Sequence, residues 1–170
     1  MDAVVFDTET TGLSPRQGHR IIEIGAVKVV DAQIVAQFSS LIDSGAPMPA
    51  AAQAVHGISA AMLRGQPAAK QVFTEFRDFI GDHPLVAHNA VFDMRFLRAE
   101  FDQLGCPLPN PSYCTLKLMR KKYPRLNSYK LEAVSRYLFG ALDSSIQCHR
   151  ALDDAMLAAR IWLHIVGDVD

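Results

Sequence analysis

Apolar positions along the chain switch between two periods, and each switch marks a change of element. A short apolar run at residues 3–6 ends in acidic and threonine residues, the pattern of a central strand whose tip reaches a site. Residues 21–30 and 34–42 follow, rich in β-branched side chains and partly alternating around a turn at Asp31, Ala32 and Gln33. Together they predict a three-stranded meander. Gly45, Pro47 and Pro49 break it, and from Ala50 onward Phe73, Phe76, Phe79 and Ile80 recur at helical spacing. Residues 84–87 predict a short buried strand, and Phe92, Phe96, Leu97 and Phe101 then line a helix that ends at Gly105. Phe92 and Phe96 read as core on this pattern. A brief strand at Tyr113 and Cys114, a helical stretch at 116–119, a helix over 130–137 and a last helix over 150–165 complete an α/β order. No repeat or linker divides the chain, so residues 1–170 read as one domain.

Composition narrows the class. With 49% hydrophobic and 21% charged residues, disorder and coiled coil are excluded. No apolar run approaches the roughly 20 residues of a membrane-spanning helix, and the N-terminus shows no basic segment followed by an apolar run, so neither membrane nor export is expected. Cys106, Cys114 and Cys148 suggest neither a disulfide framework nor a metal-ligand pair, which fits a reducing cytoplasm. The net charge of -1 provides no global field for a polyanion, so any nucleic acid must be gripped locally.

Asp7 and Glu9 stand two apart at the end of the first apolar run, so in a strand both carboxylates leave the same face while Thr8 points away. Two adjacent negative charges invite a hard cation, although acids at strand ends are also common in turns. Asp93 follows the strand at 84–87 and opens a helix, where it serves equally well against the helix dipole. Asp154, Ala158, Ile161 and Ile165 share a helical face, which turns Asp154 inward and Asp153 outward. His149 sits about 140° away from Asp154 on a helical wheel, so it is placed in a loop ahead of that helix.

Three segments, Asp7 to Leu13, His88 to Asp93, and His149 to Asp154, resemble the three exonuclease motifs of the DnaQ-like family, 3′-to-5′ exonucleases with four acids and a histidine. The resemblance spans nearly the whole chain in motif order, and residues 55–58 and 126–132 resemble further segments of that family. It implies a ribonuclease H-like fold, a mixed five-stranded sheet flanked by helices with the first strand central. It also implies two Mg²⁺ or Mn²⁺ ions. Asp7 would touch both, Glu9 and Asp154 would complete the tighter site, and Asp93 would support the second ion through water. His149 would be the general base, an imidazole being suited to proton transfer near neutral pH. Thr10, Gly12 and Leu13, with His88 and Asn89, would bind the terminal nucleotide.

Charge asymmetry adds a candidate strand path. Residues 112–137 carry seven basic side chains against one acidic, a net of +6, while the remainder nets -7. Lys117, Arg120, Lys121, Lys122, Arg125 and Lys130 form the candidate basic patch. The resemblance is broadest to the proofreading exonuclease domain of bacterial DNA polymerase III, which implies single-stranded DNA or frayed 3′ ends as substrate and a polymerase subunit as partner. RNA-trimming exonucleases and oligoribonucleases, some of them homodimers, share the motifs. A noncatalytic nucleic-acid or polymerase accessory domain is disfavoured by the full set of five residues. The chain stops soon after its last motif, without the tail through which a proofreading subunit binds its polymerase, so a polymerase assignment stays open at this stage.

Overall fold

The computed structural model describes residues 1–141 and 149–167. Five strands form one mixed sheet in the order β3-β2-β1-β4-β5. Strands β1 (Ala3–Thr10), β2 (Ile21–Val30) and β3 (Gln33–Leu41) are antiparallel neighbours, whereas β4 (Leu85–Ala87) and β5 (Ser112–Cys114) run parallel to β1. The fold is the one expected, with β1 central. Asp31 and Ala32 both adopt positive φ (49° and 59°), the two-residue turn whose twist suits a hairpin.

The apolar segment after residue 50 breaks into α1 (Ala50–His56), α2 (Ala60–Leu63) and α3 (Ala69–Ile80). Gly57 and Gly65, at φ 72° and 78°, supply the left-handed conformations at the breaks. Then come α4 (Ala90–Gln103), α5 (Thr115–Lys122), α6 (Leu131–Phe139) and α7 (Ala151–Gly167). None of the helices is long and apolar enough to cross a membrane among the described residues. Cys106 and Cys114 are free thiols, and Cys148 lies outside the described residues.

Alternation along β1 divides the core. Val4 and Phe6 face α3 and α4, packing with Phe73, Phe76, Phe96 and Phe101, whereas Ala3 and Val5 face Ala158, Ala159 and Trp162 of α7. Each fully buried phenylalanine contributes roughly 1.5–3 kcal/mol. Strand β1 is also four residues longer than the apolar run that predicted it. Its last four residues outrun β4, whose pairing with β1 involves Val4 and Val5. Asp7 to Thr10 therefore pair with β2 alone, and their other edge is open toward the start of α4.

The first turn of α7 lies directly on β2 at Gly25, the cross-strand partner of Asp7. A Cβ at Gly25 would fall 2.1 Å from Leu152 N and 2.3 Å from the Ala151 carbonyl carbon, both backbone atoms that cannot rotate away. Small side chains at Ala151, Ala155, Ala158 and Ala159 continue this close seating. Gly25→Ala is therefore expected to force α7 from the sheet and destabilise the protein by about 3 kcal/mol, the upper part of the overpacking range. Urea unfolding checks this, and a loss below about 1 kcal/mol would contradict the contact.

Candidate active site

Asp7 and Glu9 project from β1 toward α7, following the alternation set by Ala3 and Val5. Thr8 projects to the opposite side, where its hydroxyl donates to Asp93 Oδ1 at 2.8 Å. The backbone N–H groups of Thr8 and Asp93 also favour the charged form of that carboxylate. Asp93 stands in the first turn of α4, which follows Asn89 in a left-handed conformation (φ 74°) that asparagine tolerates better than most residues.

Asp154 arrives from the α7 side. Its Oδ2 accepts the His149 N–H at 3.0 Å, and its Oδ1 is buried without a hydrogen-bond partner among the described residues. His149 precedes the helix, as expected, in a left-handed conformation at φ 64°. Glu9, His149 and Asp154 each offer a ligand atom, all within 4.8 Å of one another. The structure thus brings His149 together with two of the acids.

These carboxylates disturb one another. Burial, then Asp93, Asp154, Glu9 and Glu23, push Asp7 well above the usual carboxylate range. Burial, followed by Asp154, Glu23 and Asp93, raises Glu9 to about 8, against a smaller opposing pull from Arg150. Burial raises Asp93 to about 7 against the opposing pull of the Thr8 hydroxyl and the Asp93 and Thr8 backbone amides, and Asp154 to about 6. Four acids held where each resists ionisation, one with an orphaned buried oxygen, fit a hard divalent cation: such an ion takes carboxylate oxygens and would relieve the repulsion.

Two cavities flank this centre. Thr10, Gly12 and Leu13 line one of ≈ 480 Å³ with Glu9, His56 and Phe92. The Thr10 hydroxyl donates to Gly12 O at 2.7 Å, so it is committed to the turn, while Leu13 is 76% exposed. A Cβ at Gly12 would lie 2.5 Å from the His19 ring, which would have to move to admit it. Phe96 is core as read, but Phe92 is only half-buried and forms cavity wall, since it sits at the open end of α4. The second cavity, ≈ 440 Å³, gathers His88, Asn89, Arg120, Lys130, His149 and Asp154. Both His88 nitrogens are occupied, Nδ1 with Thr115 Oγ1 at 2.9 Å and Nε2 with the Tyr129 carbonyl at 2.8 Å. His88 thereby ties the segment before α6 to the site, and burial lowers its pKa.

The basic patch divides in space. Arg120, lying over the Tyr129 ring at 5.4 Å, and Lys130 belong to the second cavity. Lys117 lies with Arg16, Arg95 and Arg98 along a separate groove of ≈ 1030 Å³. Lys121, Lys122 and Arg125 are exposed and line neither. Sequence reasoning missed Thr8, Glu23, Gly25 and the role of Arg150. Gly25 alone carried a signal, a glycine within a strand where close backbone approach is the usual reason.

Carboxylates with raised pKa bind protons more tightly in the folded than in the unfolded state. Their favourable contribution is complete below about pH 4 and is lost as pH rises through 6 to 8. With divalent ions chelated, Tm is expected to fall between pH 5 and pH 8, and Mn²⁺ to restore it more strongly at pH 8. Asp7→Asn should raise the metal-free Tm at pH 8 by roughly 2–4 °C. Thermal melts at the two pH values check both, and a lower Tm for Asp7→Asn at pH 8 would contradict the repulsion.

Comparison with known proteins follows the same outline. A family model described as RNase_T, Exonuclease, matches residues 4–162. The chain is 41% identical over 158 residues to a DNA polymerase III PolC-type of Clostridium perfringens, covering 93% of this chain but 11% of that protein. It is 37% identical over 171 residues to DNA polymerase III subunit epsilon of Rickettsia felis, covering 96% of this chain and 73% of that one. Among solved structures, exonuclease X in complex with 5′ overhanging duplex DNA superposes with a TM-score of 0.80 at 30% identity, over 98% of this chain and 92% of the other. An E. coli exonuclease I complex with single-stranded DNA gives 0.84 at 17% identity, over 99% and 41%, which speaks for the fold alone. The chain belongs to the RNase_T exonuclease family.

Proposed function

We propose that this protein is a divalent-metal-dependent 3′-to-5′ exonuclease that hydrolyses single-stranded DNA or frayed 3′ ends to nucleoside 5′-monophosphates. The observation that carries this reading is the meeting of Asp7, Glu9, Asp93, His149 and Asp154 at the end of β1, beside a cavity of ≈ 480 Å³. DNA as substrate, and a DNA polymerase subunit as partner, are supported by the relatives named as polymerase subunits and by exonuclease X bound to DNA. The comparisons lend no support to a homodimer.

Asp7, Glu9, Asp93 and Asp154 would hold two Mg²⁺ or Mn²⁺ ions. Such ions, when bound, acidify a water and offset negative charge on the phosphate oxygens. His149 takes the proton of the attacking water. The new bond joins that oxygen to phosphorus, the bond from phosphorus to the preceding nucleotide's O3′ breaks, and that O3′ takes up a proton. Leu13 offers an apolar surface to a terminal base, and Arg120 and Lys130 contact the phosphates of the strand that remains.

Labelled single-stranded DNA, RNA and very short RNA, each incubated with Mg²⁺ or Mn²⁺, test the reading. Stepwise shortening of DNA from its 3′ end, abolished by EDTA, is expected; exclusive cleavage of RNA of two to five nucleotides would overturn it. His149→Ala should lower kcat roughly 10²–10⁴-fold while DNA binding changes little. Equal loss of both would remove the base assignment. Neutralising Arg120 and Lys130 together should reduce the slope of log affinity against log salt by roughly 1.4, as two phosphate contacts require. An unchanged slope would remove them from the strand path.

A further inference from the structure

Glu23 lies on β2 directly opposite Glu9, and its side chain is 3% exposed. A fifth buried acid beside four others is unfavourable unless donors occupy it. Three do so. Arg150 Nε and Nη2 donate to Glu23 Oε1 at 3.0 and 2.7 Å, and Ala151 N–H donates to Oε2 at 3.1 Å. The last is an N–H of the first turn of α7, which has no partner within the helix.

Arg150 stands between His149 and Ala151, so this carboxylate grips the segment that carries the site. His149 N–H donates to Asp154 Oδ2, and Asp154 N–H donates to the Arg150 carbonyl, each at 3.0 Å. Residues 149–154 are thereby closed on themselves, and Glu23 fastens that closed unit to the sheet beside the Gly25 contact. The positive φ of His149, strained for a residue with a Cβ, requires such a fastening.

We infer that Glu23, acting through Arg150 and the Ala151 amide, is the positioning residue that aims His149 and Asp154 at Asp7 and Glu9. Arg150 also opposes the charge of Glu23 in part, its pull on Glu9 being smaller than the push from Glu23. The inference rests on the exonuclease reading above for what His149 and Asp154 do.

Glu23→Gln keeps the shape of the side chain but weakens the pairing, and Arg150→Met removes the fork. Arg150→Lys retains charge without the two parallel bonds. Three readouts apply: kcat and KM on single-stranded DNA, Mn²⁺ affinity by calorimetry on the protein alone, and the urea midpoint. Glu23→Gln and Arg150→Met should each lower kcat roughly 10–100-fold with KM within about threefold, and weaken Mn²⁺ binding roughly tenfold. Arg150→Lys should fail to restore either, and the double variant should be no worse than the poorer single one. Unchanged kcat and Mn²⁺ affinity in folded Glu23→Gln would overturn the inference. So would full recovery in Arg150→Lys, which would reduce the pair to charge balance, or losses that follow the urea midpoint alone. Should Glu23→Gln not fold, the two variants at the partly exposed Arg150 decide. Mn²⁺ affinity needs no substrate, so a wild-type protein that binds Mn²⁺ but shortens no 3′ end would overturn the proposed function and leave the clasp to be judged by calorimetry.

Discussion

Mutual repulsion among buried carboxylates is the constraint around which this molecule is arranged. Nothing about the charges of Asp7, Glu9, Asp93 and Asp154 favours their meeting; burial lifts all four above the ordinary carboxylate range, and like charge adds to it at Asp7, Glu9 and Asp154. The force holding them together comes from elsewhere, from phenylalanines packing α3 and α4 on one face of the sheet and from Trp162 and small residues seating α7 on the other. Hydrophobic burial does the mechanical work of compressing charge. The strain is stored at the end of β1, where a divalent cation can release it.

Polar contacts then decide orientation. Thr8 takes Asp93 by its hydroxyl, His149 N–H takes Asp154, and Arg150 with the start of α7 takes Glu23. Arg20 plays a comparable part nearby: it forms a two-pronged pair with Glu100 at 2.8 and 2.6 Å, and its amide donates to Thr11 Oγ1 at 3.0 Å, steadying the loop that leads to Gly12 and Leu13. In both pairs the carboxylate is buried and the arginine partly exposed, so loss of the arginine would leave a desolvated charge behind.

Much of this was legible in residue order. The alternation in β1 gave the shared face of Asp7 and Glu9, helical spacing gave the inward turn of Asp154, and loop placement of His149 followed from its angle to that acid. Other features were not, because they depend on partners distant in sequence. Glu23 reads as one polar residue in an apolar strand until Arg150, 127 positions away, is seen against it. Phe92 and Phe96 share a helical face, yet the end of the helix leaves one at a cavity and buries the other. The basic segment at 112–137 reads as a single surface, but its side chains are distributed between two grooves once α5 and the segment before α6 diverge.

Strand β1 projects past β4, and the Thr8 amide on its open edge favours the charged Asp93 carboxylate. That donor belongs to the main chain, so no replacement of Thr8 other than proline removes it. A survey by alanine scanning would find the acids and overlook the length of the strand that orients one of them. Shortening β1, or lengthening β4 by a paired residue, would alter the same centre with every side chain in it unchanged.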